Sequence, residues 1–508
     1  MIGREVRAVC PKCDKNVKGR IYAEGQKVLL EKDCPHCGKT RDLLSTDKKM
    51  FMDRMSLLDH PENNSCSIEK CKTGIFNCLD HVARKSPLSF IEVTTRCNMK
   101  CPVCYMDAEA KGRDLPLETF KRMVDKVKQE DPETHLILIG GEPTIHENFF
   151  ELLAYVREKG LMKRTFIATN AIKLADKDFC RKVQEAGIKK FFLAFDGTDR
   201  EACREIRGSY IAYDALRKAL DNIRSNGKAW IILSITAVKD LNLEDVPRSI
   251  EFAMDNCDIV KRVMISPEVY CGRVDEKEDL AKNRLTGDFL ERYLRDKLNV
   301  EVATVSLSLF FALIRPLKSM ELIDPQSWVA HMPSPFCGHM GLIWKDHQGR
   351  FHSIVDLLVR RPAEKVYEVG RKANEYAAAI KKEEETMKGT SLGELLFRLA
   401  VYFFYLPKYF FMLAFHLNFR NLFGLLGALL RAGFNMKKFK KEFFNKRVEL
   451  FYLLGSDKYN FIWDKMPYCQ TPHYRIHPES GEVIKVPGCF VFVFRDHLEG
   501  TVVSQKDT

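Results

Sequence analysis

Between residues 87 and 275 the chain alternates short apolar runs with amphipathic stretches, and this pattern limits the fold more than any other feature. SFIEVTT, HLILIGG, RTFIATN, KKFFLAFDG, AWIILSITAV and VKRVMISPEV each read as one strand. Leu117 to Glu130 and Glu147 to Lys159 carry apolar residues at helical spacing. Strands that alternate with helices imply a parallel sheet. Six such units predict an α/β domain, an open partial (βα)6 barrel of TIM type with its sites at the strand C-terminal ends.

Cysteine is the second constraint, with 17 in 508 residues. The start, MIGREVRAVC, is too polar for a secretion signal. Thiols kept reduced inside a cell, when clustered, more often bind metal. Cys10-x-x-Cys13 and Cys34-x-x-Cys37 are two knuckles able to close a tetrahedral four-thiolate site, rubredoxin-like, for zinc or one iron. The stretch between them, GRIYAEGQKVLLEKD, predicts a β-hairpin. Cys66, Cys71 and Cys78 in CSIEKCKTGIFNC read as loop ligands to an iron–sulfur cluster. Cys271, Cys337, Cys469 and Cys489 each sit near Pro or Gly in turn-like contexts. They predict a further 4Fe–4S cluster, or a ligand lent to the Cys66–Cys78 set, giving one or two auxiliary clusters. Cys180, Cys203 and Cys257 fall in helical segments and read as structural.

The chemistry sits at Cys97, Cys101 and Cys104, a CxxxCxxC loop directly after the first strand. Three thiolates hold three irons of a 4Fe–4S cluster and leave the fourth open, as a catalytic metal keeps an open position. One strand later HLILIGGEPTIH ends in Gly140, Gly141, Glu142 and Pro143, where two glycines let the backbone approach a ligand closely. Together these motifs resemble the radical S-adenosylmethionine (SAM) superfamily. The resemblance implies that SAM chelates the open iron. An electron from a donor such as ferredoxin or flavodoxin then cleaves it to a 5′-deoxyadenosyl radical, which takes hydrogen from an unactivated C–H bond. It implies that the GGEP segment meets the SAM amino group. Thr169 and Asn170 end the third strand and Ser234 lies in the fifth, both at cofactor-binding positions. FDGTDREACREIRG is similar to the DG…RG stretch of the molybdenum-cofactor and peptide-modifying branches. That places Asp196 at the ribose and Arg207 at the SAM carboxylate, with a solvated helix face as the alternative for Arg207. Val103 stands where the family carries an aromatic residue, so Tyr105 is expected to take the adenine contact. No catalytic residue beyond the cluster ligands is identified.

Residues 391–435 are strongly apolar and aromatic, yet Arg398, Pro407, Lys408, His416 and Arg420 interrupt them. No charge-free run reaches the ~18 residues of a clean membrane span. The segment reads either as a pair of buried helices or as helices that lie in a membrane interface or line a lipid tunnel. VSLSLFFALIRPL (305–317) is a candidate for the same apolar surface. The run MKKFKKEFFNKR, with Lys437, Lys438, Lys440, Lys441, Lys446 and Arg447, suits anionic head groups. The net charge of +12 agrees with an anionic partner; no nucleic acid is expected.

The order of parts resembles the tetraether lipid synthases and the related macrocyclic archaeol synthases. That resemblance implies C–C bond formation between terminal methyl carbons of isoprenoid lipid chains, with two SAM molecules cleaved per bond and the first alkyl radical held on an auxiliary-cluster sulfur. It implies a lipid substrate with an anionic head group and a cytoplasmic enzyme, peripheral on the inner membrane face. Two other readings stand beside it: radical SAM methylation or modification of a small polar substrate or peptide, and a non-enzymatic iron–sulfur or zinc membrane-associated binding protein. The expected organisation is a rubredoxin-like four-cysteine module at 1–48, a cysteine-rich auxiliary-cluster segment at 49–86 and the barrel at 87–275. A connecting or substrate region at 276–390, an apolar, mainly helical lipid- or membrane-contacting region at 391–450 and a C-terminal auxiliary-cluster segment at 451–508 complete it.

Overall fold

The computed structural model describes residues 2–56, 86–274, 284–301, 338–346, 348–358, 362–387, 391–414, 446–469, 471–477 and 480–495, with isolated positions between 418 and 435. Cys66, Cys71, Cys78 and Cys337, the stretch 305–317 and the basic positions 437–441 lie outside these residues. The chain divides into two compact units. One joins Met1–Lys48, Asn63–Phe289 and Tyr452–Thr508; the other joins Lys49–Glu62 and Leu290–Phe451.

The first unit opens with four antiparallel strands in chain order: β1 (Glu5–Val9), β2 (Asn16–Glu24), β3 (Lys27–Cys34) and β4 (Gly38–Ser45). The expected hairpin is β2–β3, turning at Gly25, whose φ of 59° suits glycine. Each CxxC knuckle forms the turn at a strand end, β1 to β2 and β3 to β4.

The same unit contains β5 (Leu88–Thr94), β6 (His135–Gly140), β7 (Thr165–Thr169), β8 (Lys190–Ala194), β9 (Trp230–Ala237) and β10 (Val260–Pro267). All six are parallel and hydrogen-bonded in chain order. Helices carry the crossovers, among them Leu117–Glu130, Phe149–Glu158, Lys177–Glu185, Ile211–Ser225 and Val246–Asp255. Side-chain caps start two helices: Asp176 accepts from the Phe179 amide, and Asp199 accepts from the amides of Glu201 and Ala202. A C-terminal hairpin, His473–Ile476 with Val483–Val486, joins the β5 edge, where His473 pairs with Phe90.

Strand side chains alternate, and the two faces of this sheet differ. Ile91, Val93, Leu138, Phe191, Leu233 and Val263 are fully buried. On the other face Phe90, Ile139, Phe192, Trp230 and Met264 are only partly buried, packed on Ile137, Phe166 and Ile232. At the strand starts of this second face Lys190 lies 5.3 Å from the Phe166 ring centroid, and Arg262 lies 5.2 Å from that of Trp230.

The second unit contains a short antiparallel pair, Gly338–Lys345 with Phe351–Ser353, and a long helix, Pro362–Met387. A second helical stretch runs from Ser391 to Ala414. It widens to a π turn at Val401–Tyr405, just before Pro407. Proline has no amide hydrogen and clashes with the carbonyl four residues back, so the widened turn accommodates it. Phe397, Val401 and Tyr409 bury against Ala373 and Ile380. Leu392–Ala414 is long and apolar enough to cross a membrane by length and composition, with 18% of its apolar window buried.

Buried charge ties distant parts of the first unit together. Arg284 bonds Asp42 of β4 at 3.1 Å and Asp457 at 2.9 Å, and all three side chains are buried. Removing the cation would leave two buried carboxylates without their hydrogen-bonded partner, with only the Lys32 charge near them. Arg284→Ala is therefore expected to cost about 3–5 kcal/mol in urea unfolding. Arg284→Lys, which keeps the charge but loses the fork, should cost less.

Candidate active site and metal centres

The four ribbon cysteines converge. The sulfurs of Cys10, Cys13, Cys34 and Cys37 all lie within 4.8 Å of one another. Those of Cys13 and Cys34 are 3.7 Å apart. A tetrahedral ion with metal–sulfur bonds of about 2.3 Å sets its ligand sulfurs about 3.8 Å apart, so this donor set fits one mononuclear ion. Backbone amides of His36 and Cys37 draw the Cys34 thiol down to about 7, while the neighbouring Cys13 thiol and burial push Cys37 up to about 12. Asp14 and Gly38, at φ 56° and 79°, give each knuckle its left-handed residue.

Cys97, Cys101 and Cys104 lie on the loop after β5, packed with Met99, Met106 and Ala108. Backbone bonds fix the loop: the Cys97 amide donates to Glu109 O at 2.9 Å, and Cys104 exchanges bonds with Arg273 at 3.0 and 2.8 Å. The Arg273 guanidinium also donates to Cys101 O at 2.7 Å and Ala108 O at 2.8 Å. Burial raises the Cys97 thiol to about 12 and raises Cys101 as well. Metal binding at this loop would therefore release protons. Two buried thiols and the half-buried Cys104 on one rigid loop fit a 4Fe–4S cluster with one open iron.

Gly140 and Gly141 serve chain-on-chain contact. A Cβ on Gly140 would fall 2.2 Å from Thr94 O, and one on Gly141 would fall 2.0 Å from Arg96 O. The close approach that the glycines permit is thus to the cysteine loop itself. The Glu142 carboxylate points into the fold. It accepts from the Thr144 amide at 3.1 Å, the Thr144 hydroxyl at 2.6 Å, the Thr169 hydroxyl at 2.7 Å and the Asn170 amide at 2.7 Å. Pro143 starts a short turn of 3-10 helix. Asn170 donates to the Asn98 side chain at 2.7 Å, inside the cysteine loop. The structure therefore gathers Glu142, Thr169 and Asn170 at the C-terminal ends of β6 and β7.

Asp196 has a φ of 57° and is buried just past β8, where it accepts from the Thr236 amide at 2.8 Å and pairs with Arg207. Arg207 also places Nη1 4.0 Å from the Cys101 sulfur. This arginine faces the cysteine loop, and the solvated-face alternative does not describe it. Ser234, half-buried, accepts through its carbonyl from the Phe195 amide at 2.9 Å. Tyr105 packs edge-on against Phe492, ring centroids 4.9 Å apart, and burial raises its phenol pKa.

Cys271 follows β10, Cys469 precedes the C-terminal hairpin, and Cys489 opens the helix Gly488–Val493. The charge of Cys489 acts on both of the other thiols. The Gly488 amide also donates to the Cys469 sulfur at 3.3 Å. Three of the four scattered cysteines therefore meet in one region of the first unit. Cys180 and Cys203 are buried in helices.

The sequence reading missed Arg273, and it missed the buried group of Glu92, Arg475, Arg495 and His473. Glu92 sits in the middle of the apolar run SFIEVTT, and Arg475 sits in the short strand HYRI. A lone charge in an apolar strand is a signal that a partner is buried with it.

The fold and this site define a radical SAM domain preceded by a metal-binding ribbon. The radical SAM superfamily profile matches residues 91–253. The profile described as the HMPTM N-terminal zinc ribbon domain matches residues 2–46. Such a domain takes a 4Fe–4S cluster and SAM, and the ribbon takes one mononuclear ion. Among relatives, the chain is 30% identical over 295 residues to a 7,8-dihydro-6-hydroxymethylpterin dimethyltransferase of Methanocaldococcus jannaschii, covering 57% of this chain and 58% of that protein. It is 32% identical over 233 residues to an Fe-coproporphyrin III synthase of Methanosarcina barkeri, covering 44% of this chain and 56% of that one. The chain thus spans little more than half the length of each. The solved structure of Streptococcus suis SuiB aligns at 18% identity and a TM-score of 0.33 over 55% of this chain and 68% of its own.

Replacing Cys97, Cys101 and Cys104 together by Ala should abolish 5′-deoxyadenosine formation and remove about four irons per chain. Elemental analysis of the same sample should still find the ribbon ion. Cys10→Ser should do the reverse, releasing the ribbon ion and leaving the SAM-responsive iron in place.

Proposed function

We propose that the protein is a radical SAM enzyme that joins terminal methyl carbons of isoprenoid lipid chains, in tetraether or macrocyclic lipid synthesis. The observation that carries this reading is the apolar helix Leu392–Ala414. Phe403 and Phe404 are each 71% exposed, Phe411 67% and Leu392 65%. So large a contiguous apolar surface on a folded chain is costly in water and marks contact with lipid or with another apolar partner. The half-covered face of the parallel sheet agrees. Phe90, Ile139, Phe192, Trp230 and Met264 offer an alkyl chain apolar walls below the cysteine loop. Lys190 and Arg262 stand at the strand starts of that face, cations on the side where an anionic head group would emerge.

When bound, the cluster and SAM supply a radical able to break a C–H bond with no acidic proton. The residues of this chain have three tasks in that scheme. Gly140, Gly141 and Glu142 hold the cysteine loop in register with β6. Asp196 and Arg207 place charge beside Cys101. The apolar face orients a saturated chain and excludes water from it. The coupling breaks one C–H bond on each chain, makes one C–C bond and moves two hydrogen atoms to two deoxyadenosyl groups. An external one-electron donor, such as a ferredoxin or flavodoxin, provides one electron per SAM. In this reading the protein is cytoplasmic and sits peripherally on a membrane with anionic head groups.

A second reading is methylation of a pterin-like substrate, favoured by the 30% identity to the pterin dimethyltransferase. A pterin needs several hydrogen-bond partners, whereas the half-covered sheet face is dominated by aromatic and aliphatic groups. The test is an anaerobic assay of the reconstituted full chain with SAM, a reductant and either archaeal diether phospholipid in vesicles or hydroxymethyl-dihydropterin. Lipid products lighter by two hydrogen atoms per bond, with two 5′-deoxyadenosines each, are expected. A methylated pterin with unchanged lipid would replace this reading by the second. Replacing Phe403, Phe404 and Phe411 together by Ser should cut co-sedimentation with anionic vesicles about tenfold or more. Binding at the parent level would remove the helix from the lipid contact.

A further inference from the structure

Glu92, Arg475 and Arg495 form a buried charge group beside β5. Glu92 accepts from Arg475 at 2.5 Å and from the two terminal nitrogens of Arg495 at 3.3 and 3.2 Å. Their side chains are 1%, 3% and 11% exposed. The neighbouring His473 is neutral, because burial and the two guanidinium charges push it down to about 3. Among the described residues two positive charges therefore face one negative charge, and the Arg475 Nε is unbonded. A buried surplus cation is costly unless an anion lies next to it.

What lies next to it is the cysteine loop. Arg495 Nη1 reaches the Met106 sulfur at 3.2 Å, and Met106 packs in the same buried group as Cys97, Cys101 and Cys104. The other arginines at this loop differ: Asp196 neutralises Arg207, Asp107 pairs with Arg273 and Asp114 pairs with Arg96. A 4Fe–4S core with three thiolates carries one net negative charge when oxidised and two after taking one electron. A fixed cation in a dry surrounding favours the more negative state.

We infer that Arg495 is a positioning residue that supplies the counter-charge for the cluster on Cys97, Cys101 and Cys104 and raises its reduction potential. The inference rests on that loop holding the SAM-binding cluster. Glu92 sets the size of the effect by cancelling the charge of Arg475. The arrangement makes the cluster easier to reduce by an external one-electron donor while leaving SAM contacts to other residues.

The experiment is a redox titration of the anaerobically reconstituted full chain with dithionite, followed by electron paramagnetic resonance. The signal that changes when SAM is added identifies the cluster with the open iron. Arg495→Gln leaves the neutral Glu92–Arg475 pair and should lower the midpoint of that signal. The ratio of reduced to oxidised cluster at a fixed poise should fall about tenfold, or ~59 mV for a one-electron couple. Glu92→Gln adds to the surplus charge and should move the midpoint upward, so a variant that fails to fold leaves the other to decide. Arg495→Lys should stay near the parent. A purely structural role would lower iron content or stability in Arg495→Gln without moving the midpoint of the iron that remains. Unmoved midpoints in the folded variants, with the SAM-responsive signal present, overturn the inference alone. Absence of any SAM-responsive signal from the parent chain overturns the cluster assignment and the inference with it.

Discussion

The cysteine loop lies directly on the backbone of Gly140 and Gly141, and the rest of the site depends on that contact. The Gly141 amide donates to Thr94 O and the Glu142 amide donates to Arg96 O, both at 2.8 Å. Any side chain at either glycine would collide with those carbonyls, so the loop would have to lift from the sheet. Because it does not lift, Glu142 is turned inward, and its carboxylate closes the gap between the ends of β6 and β7. Asn170 then reaches back to Asn98, and Arg207 reaches from the far side of Asp196 to Cys101. The three thiols are held by a ring of backbone and carboxylate contacts that needs no metal to explain it. Such preorganisation keeps a cofactor site rigid before the cofactor arrives.

The parts of this site legible in the sequence are those with local signatures. The six parallel strands follow from runs of four to eight apolar residues separated by helical periods, and the ribbon hairpin follows from two CxxC knuckles at its ends. Asp196 and Arg207 were legible through the resemblance of FDGTDREACREIRG to a DG…RG stretch, and a short helix lets the two side chains pair. The role of Glu142 was less so. Its motif marks the position, but nothing in four letters says that the carboxylate accepts from Thr144, Thr169 and Asn170. Arg273 and Arg495 carry no local signal, since their partners at Cys101 and Glu92 are more than a hundred residues away.

That distance has a physical consequence. The segment 452–495 closes over the first unit through charges and not only through apolar packing. Asp457 meets Arg284 and Asp42, Arg475 and Arg495 meet Glu92, and Lys485 meets Asp131 at 2.5 Å. Apolar contacts add to this, with Val9 of the ribbon in one cluster with Phe461, Trp463 and Phe490. Hydrophobic burial is non-directional and tolerates a slipped register, whereas a buried ion pair out of register leaves a bare charge. The charges therefore fix where Cys469 and Cys489 come to rest relative to Cys271. Loop closure over such separations costs only slowly more with length, so the chain can bring cysteines of its middle and its end into one region.

The two apolar surfaces of the chain call for one explanation. Exposed Phe and Leu on Leu392–Ala414 would each forfeit about 1.5–3 kcal/mol of burial in water, a cost that an ordinary soluble helix avoids by placing charge on its outer face. This helix instead keeps Tyr409 and Phe397 inside and turns Phe403, Phe404, Phe410 and Phe411 outward. Its interruption at Pro407 is absorbed by a π turn, so the helical stretch continues to Ala414. The sheet face of the other unit has the same character, with aromatic groups half-covered and cations at its strand starts. On the proposed reading one substrate would answer to both: a long saturated chain with an anionic head would need an apolar path to the reacting carbon and an apolar medium for the rest of the lipid.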